Sequence, residues 1–249
     1  MIASPHNEKL KTVRRLRERR GRDRLGLFVA EGEDLLAAAA AAGWPAVFNL
    51  CADGSGLPGE PVSSELLAAA SELGSGTRCL AVYEERWAPA VIGPLAVYLH
   101  GVRDPGNAGT VVRAAEAFGA SCVAFGPDSA DPYAPKAVRA SMGSIFNVPL
   151  TRADVAELPG RTIALDASGP DELCTVMDAY RPRRDTECVT LLVGAERHGL
   201  PAEILAAADT VARIPTQIHS LNAAMAATIA LYELTRPRDR AGDRRMPRG

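Results

Sequence analysis

Apolar residues run along this chain in two rhythms. Near the start Leu10, Val13 and Leu16 recur at helical spacing, while Lys9, Lys11, Arg14, Arg15 and Arg19 fill the other faces. Ser4-Pro5 with Glu8 nearby predicts a capped helix start, and Gly21 a helix end. Short apolar runs at 25–30, 47–51 and 78–83 predict strands. Helices are expected at the alanine run 37–42, closed by Gly43, and at 63–73. Turn-rich residues 53–61 read as a surface loop, and 87–94, with two prolines, as a linker. The first 88 residues therefore form a small α/β unit. From 95 to 236 the rhythm changes to strands that are apolar throughout (95–100, 121–125, 147–150, 162–166, 188–193, 210–214). They alternate with helices at 108–118, 135–142, 201–207 and 220–235. Such alternation predicts an α/β fold with a mostly parallel sheet covered on both faces. Ligands of such sheets bind at the carboxyl ends of strands.

A chain of 249 residues has enough interior to fold without a disulfide or metal staple. Its five cysteines (Cys51, Cys79, Cys122, Cys174, Cys188) are odd in number and never in C-x-x-C spacing, which argues against a disulfide framework and a zinc site; no metal is expected. No apolar run reaches the roughly 18 residues of a membrane helix. The basic first 20 residues have no apolar signal core, so a soluble, cytoplasmic protein is expected. The net charge of −2 hides an uneven distribution. Residues 1–24 carry nine Lys/Arg against three acidic residues, and residues 236–249 six against two. An acidic body with basic ends fits a polyanionic partner, because clustered cations gain from counterion release. A solubilising helix face and a flexible basic tail at 237–249 would produce the same numbers.

Three segments fall at strand ends: His100-Gly101-Val102-Arg103-Asp104-Pro105-Gly106-Asn107-Ala108-Gly109 leading to Arg113, then Val193-Gly194-Ala195-Glu196-Arg197-His198-Gly199-Leu200-Pro201, then Ile214-Pro215-Thr216-Gln217-Ile218-His219-Ser220-Leu221-Asn222. The first makes a tight turn onto a helix start, where free N–H groups can hold an anion. Arg113 is either a surface charge paired with Glu116 or, among its apolar neighbours, a group that needs a partner. The second segment sets Glu196 in a glycine-flanked loop. In the third, Ser220 is either an N-cap or part of a site. Leu221, Ala224, Met225, Thr228, Ile229, Leu231 and Tyr232 make the last helix apolar on most sides, so it is expected to be buried between domains or subunits. The chain has no G-x-G-x-x-G fingerprint, no phosphate-binding G-x-x-x-x-G-K-[S/T] loop, no G-x-S-x-G elbow and no H-E-x-x-H.

These segments resemble the three motifs of the SpoU/TrmH group of SPOUT RNA methyltransferases: D-P-x-N-x-G-x-x-x-R, G-x-E-x-x-G-L, and I-P followed by S-L-N, with Leu231-Tyr232-Glu233-Leu234 at the helix end. Residues 4–90, through the basic first helix and Phe28-Val29-Ala30-Glu31-Gly32, resemble the RNA-binding domain of the rRNA-directed members. The resemblance implies a trefoil-knotted SPOUT domain at 95–236 behind a small ribosomal-protein-like RNA-binding domain. It implies S-adenosylmethionine as cofactor, transfer of methyl to a ribose 2′-hydroxyl of structured RNA, and a homodimer formed through the C-terminal helix. The favoured substrate is 23S rRNA; the same chemistry on tRNA, or a non-catalytic RNA-binding assembly factor, are the alternatives. Carried over by motif, Arg113 is the catalytic residue, organised by Asn107, Glu196, Ser220 and Asn222. Val193, Gly194, Ala195, Ile214 and Leu221 line the cofactor site, and Lys9, Lys11, Arg14, Arg15, Arg22 and Arg24 contact RNA. The chain departs from the family in the short stretch Thr216-Gln217-Ile218-His219 between Ile-Pro and Ser-Leu-Asn, which makes His219 a second candidate proton acceptor. It departs again at Arg197-His198, where small residues are usual.

Overall fold

A computed structural model of the chain describes residues 1–72, 76–180, 188–218 and 221–236, the side chains of 177–180 excepted. The elements run α1 (Glu8–Leu16), α2 (Arg19–Leu25), β1 (Leu27–Glu31), α3 (Glu33–Ala41), β2 (Phe48–Ala52), β3 (Glu60–Val62), α4 (Ser64–Ala70) and β4 (Cys79–Glu84). There follow β5 (Leu95–Leu99), α5 (Pro105–Ala117), β6 (Cys122–Phe125), α6 (Pro135–Ala140), β7 (Leu150–Arg152), β8 (Arg161–Leu165), β9 (Asp171–Glu172) and α7 (Leu173–Tyr180). The last four are β10 (Val189–Val193), α8 (Ala202–Ala207), β11 (Thr210–Arg213) and α9 (Ala223–Thr235).

The first helical stretch is broken. Leu10, Val13 and Leu16 are buried as their spacing predicts, but α1 is capped by Asn7, whose side chain accepts from the Lys9 amide, and not by Ser4. The chain becomes extended at Glu18 and restarts as α2. Gly21 therefore does not end a helix. It lets α2 lie against α1, since a Cβ there would sit 1.9 Å from the Arg15 carbonyl oxygen. Gly26, with φ +63°, supplies the left-handed helix end.

The first sheet has the order β1-β4-β2-β3, with β4 antiparallel to both β1 and β2. Its edge strand β3 lies in the stretch expected to be a loop; three residues are too short a run for alternation to reveal. The second sheet, β7-β6-β5-β10-β8-β11-β9, is parallel at every pairing, as the all-apolar strands require. β7 starts three residues later than expected, because a 3-10 turn takes up Ser144–Phe146.

The expected linker is not a free tether. The Ala88 amide donates to the Leu150 carbonyl at 2.7 Å, and Trp87 stacks edge-on against Tyr133 at 5.2 Å. One apolar core runs through both sheets. Phe28, Trp44 and Tyr83 from the first part pack on Tyr133 and Phe146 from the second, with centroids 4.7–6.0 Å apart. Within it, Trp44 Nε1 donates to the Phe146 carbonyl and the Tyr133 hydroxyl to that of Arg86. Arg22 completes the seam. Its Nε lies 2.7 Å from Asp131 Oδ2, and Nη1 donates to the Leu16 and Arg17 carbonyls. Expected on an RNA-facing surface, Arg22 is 3% exposed; its charge is spent inside the protein, and the expectation is corrected. All five cysteines are free, three of them buried.

Candidate active site at the strand ends

Strands β5, β8, β10 and β11 are parallel neighbours, so the loops that leave their carboxyl ends gather on one edge. β5 leads through His100–Arg103 into α5, which begins with Asp104 as N-cap and Pro105 in the first turn, where a missing N–H costs nothing. Asp104 Oδ1 accepts from the Asn107 amide at 3.0 Å, while Oδ2 lies 2.6 Å from Lys136 Nζ. The bond from Lys136 outweighs the opposing effect of burial and, with a further contribution from the backbone donor at Asn107, holds the Asp104 carboxyl below its ordinary range.

β10 leads into Gly194, and the loop closes on itself: Ala195 and Gly199 exchange two backbone hydrogen bonds, at 3.2 and 2.9 Å. A Cβ at Gly194 would lie 2.3 Å from the Gly199 carbonyl carbon, so only glycine allows this narrow loop. α9 is capped by Asn222, whose Oδ1 accepts from the Ala224 and Met225 amides. The sequence left Ser220 open as either that cap or a part of the site. Ser220, His219 and the basic tail 237–249 lie outside the described residues.

A directional relay ties the three segments together. The α9 amides take Asn222 Oδ1, leaving its Nδ2 to donate to Asn107 Oδ1 at 3.0 Å. Asn107 Nδ2 then donates to Glu196 Oε1 at 2.5 Å. The free amides of one helix end thus set the orientation of two side-chain amides and finish on a carboxylate acceptor. α5 and α9 lie side by side, joined at their starts by Asn107 and Asn222 and near their ends by the Phe118–Tyr232 ring contact at 6.1 Å.

Below the relay lies a cleft of about 290 Å³. Val193, Gly194, Ala195, Ile214 and Leu221, all five of the residues expected at a cofactor, line it, together with Glu196. Leu165, Asp166 and Ala167 at the end of β8 line it too. Sequence reasoning missed them, although the strand-end rule applied to β8 points there. The walls are mainly apolar, with Asp166, Glu196, Arg197, His198 and Thr216 as polar points, and so suit a flat heterocycle joined to a charged group.

Arg113 stands apart. It is exposed on α5, lines neither this cleft nor the one beside it, and makes no hydrogen bond or ion pair among the described residues. The pairing with Glu116 is absent, since Glu116 instead accepts from Asn147 Nδ2 at 2.6 Å. Of the residues expected to contact RNA, Lys9 pairs with Glu60, Lys11 with Glu8, and Arg14 donates to the Pro5 carbonyl. Arg15 and Arg24, with Arg20 between them, are exposed and make no hydrogen bond or ion pair among the described residues. Among the described residues no cluster of side chains could hold a metal ion, and no helix is long and apolar enough to cross a membrane.

Comparison with known proteins places these features. Residues 94–232 match the SpoU rRNA methylase family, and residues 7–86 match an MRM3-like substrate binding domain. The chain is 30% identical to the 23S rRNA (guanosine(2553)-2′-O)-methyltransferase RlmP of Bacillus subtilis, over 94% of this chain and 98% of that one. Among solved structures, an AdoMet-bound rRNA methyltransferase from Sinorhizobium meliloti is similar with TM-score 0.80 and 28% identity, covering 94% and 96% of the two chains. The AdoMet complex of the SpoU methyltransferase AviRb from Streptomyces viridochromogenes is similar with TM-score 0.77 and 27% identity, covering 92% and 97%.

Proposed function

This chain belongs to the SpoU rRNA methylase family, and from that premise we propose that it transfers a methyl group from S-adenosylmethionine to a ribose 2′-hydroxyl of 23S rRNA. The observation that carries the reading is the Asn222–Asn107–Glu196 relay on the rim of the cleft, which joins all three motif segments in one arrangement.

Val193, Gly194, Ala195, Ile214 and Leu221 hold the cofactor; the apolar walls and the few polar points of the cleft fit an adenosine joined to a charged amino acid. When bound, the cofactor supplies an electrophilic methyl group on a sulfonium. The protein's task is to hold the hydroxyl in line with that methyl and to stabilise charge on the oxygen as its proton leaves. Glu196, kept in place by Asn107, fixes the cleft rim. Arg113 meets the RNA. Its guanidinium stays protonated, so its work is to orient the phosphate beside the acceptor ribose and stabilise the developing alkoxide.

Residues 1–88 act as the substrate-binding unit, residues 95–236 as the catalytic one, and residues 237–249 as a basic tail. In the first unit Arg15, Arg20 and Arg24 are the cations left to face RNA, flanked by Lys9, Lys11 and Arg14. Dimerisation uses α9: Met225 (56% exposed), half-buried Ile229 and Tyr232 (50% exposed) are spaced i, i+4, i+7 and form one apolar stripe, beside a face on which Ala223, Ala224, Ala227, Ala230, Leu231 and Leu234 are buried. A trefoil knot in residues 95–236 belongs to the same reading, supported by the insertion of the late strand β10 between β5 and β8. The place of action is the cytoplasm, where the RNA substrate is made.

The test is incubation of the protein with radiolabelled S-adenosylmethionine and deproteinised rRNA, followed by mapping of alkali-resistant ribose positions. One labelled 2′-O-methyl nucleotide in 23S rRNA is the expected result. Measurable cofactor binding with no label in any RNA would sink the enzyme reading.

A further inference from the structure

A second cleft, about 720 Å³, lies on the other side of the β10–α8 loop. Ala195–Gly199 form a wall shared with the cofactor cleft, and the opposite wall is the β5–α5 loop with His100, Gly101 and Arg103. Arg103 and Arg197 bring two guanidinium groups, and His100 and His198 two imidazoles. The carboxylates are Asp128 and Glu196. Glu196 is engaged by Asn107, and Asp128 reaches only a long, solvent-exposed contact with Arg103 at 3.6 Å. Such a solvent-screened pair is weak, so it opens readily to a stronger anion. Arg197 and His198 are exposed and make no hydrogen bond or ion pair among the described residues.

His100 is built in more firmly. The hydroxyl of Tyr98, a fully buried side chain, lies 3.2 Å from His100 Nδ1. Burial pushes the Tyr98 phenol up to about 12, so it keeps its proton at neutral pH and can donate to Nδ1. When the phenol donates to Nδ1, the ring carries its proton on Nε2, which no protein group engages among the described residues.

We propose that this cleft is a subsite for the RNA backbone next to the methylated nucleotide, with Arg103 and Arg197 binding phosphodiester oxygens and His100 donating to the same nucleotide. Forked guanidinium groups and a fixed N–H donor are the chemistry of phosphate recognition. The shared Ala195–Gly199 wall sets the bound nucleotide one step from the cofactor cleft, so occupancy here delivers its neighbour to the reacting methyl.

The proposal rests on the methyltransferase reading, and the test separates the two. Binding of deproteinised 23S rRNA is measured across a salt series for the wild type, for the double variant Arg103→Ala/Arg197→Ala and for His100→Ala. S-adenosylmethionine affinity and methyl-transfer kinetics are measured alongside. Expected for the double variant are a KM for RNA raised at least about 10-fold, unchanged cofactor affinity, and a salt slope of RNA binding lower by about 1.4–1.8, as two lost phosphate contacts require. His100→Ala raises the RNA KM about 3- to 10-fold and leaves the salt slope near wild type. An unchanged slope and KM in the double variant overturns the subsite. Weakened cofactor binding with normal RNA binding also overturns it and assigns the cations to the cofactor's carboxylate. A wild-type protein that neither binds nor methylates rRNA removes the underlying function, and the subsite with it.

Discussion

At the seam between the two sheets the buried Arg22 guanidinium meets three acceptors, one carboxylate and two carbonyls, all within 2.9 Å. At the open edge of the large sheet Arg113 and Arg197 have no partner among the described residues. The same side chain therefore has two unlike settings in one molecule. Where water is excluded, a guanidinium must be fully paired, and it then clamps two parts of the fold. Where water reaches it, an unpaired guanidinium costs nothing in the folded state and keeps its donors for a ligand. The aromatic seam around Phe28 and Tyr133 explains why Arg22 can be so deeply placed. It joins the two sheets before any RNA arrives, so substrate binding need not order a domain interface.

The sharpest way to break this contrast is to remove the seam arginine. Arg22→Ala leaves the Asp131 carboxylate uncompensated in a buried setting, and stability should fall by about 3–5 kcal/mol. For a chain of this size the melting temperature should drop on the order of 10 °C. Calorimetry decides, and a change below about 1 kcal/mol would mean that the pair is not a clamp.

Arg113→Ala should do the reverse. Loss of one donor aimed at developing charge lowers kcat by roughly 10²–10³-fold, with the melting temperature within about 1 °C of wild type. Arg113→Lys, which keeps the charge but not the fork, should recover only part of the rate in the same single-turnover assay. Full recovery would argue that a point charge suffices.

Asn222→Ala touches both regions' logic at once. It removes the α9 cap, at a cost of about 0.5–2 kcal/mol, and it cuts the relay to Glu196. Asn222→Ser restores the cap but cannot reach Asn107 in the same way. Stability should recover while methyl transfer does not, and recovery of both would reduce the relay to capping.

The smallest effect belongs to the exposed Asp104–Lys136 pair. The folded-state pKa of Asp104 is lowered, so its stabilisation is complete above the unfolded value of about 4 and is lost as pH falls through the lowered one. Solvent screening keeps it under about 1 kcal/mol. Urea midpoints between pH 7 and pH 3 should show a slightly shallower decline in Lys136→Met than in wild type.

Much of this was readable before any coordinates. The all-apolar strands alternating with helices foretold a parallel sheet, and the parallel sheet foretold a site at its strand ends. The five residues that the resemblance to the SpoU/TrmH motifs assigned to the cofactor share one cleft. The misses have physical causes. Ser4 and Asn7 are both good caps, and only the packing of α1 decides between them. Gly21 looks like a helix end because glycine serves both left-handed turns and close approaches, and only the neighbouring Arg15 carbonyl tells which. Asp166 and Ala167 carry no motif; they join the cleft because β8 lies between β10 and β11.

Local pattern by itself determined most of the elements, the parallel sheet and the edge on which chemistry gathers, because periodicity and strand burial are properties of neighbouring residues. Which arginine is a clamp and which is a tool was decided only by the tertiary structure. Partnering depends on groups far apart in the chain, as Asp131 lies 109 residues from Arg22 and Asn222 lies 115 from Asn107. No local pattern carries that information, since it arises when the chain closes on itself and water is driven from one guanidinium and left around another.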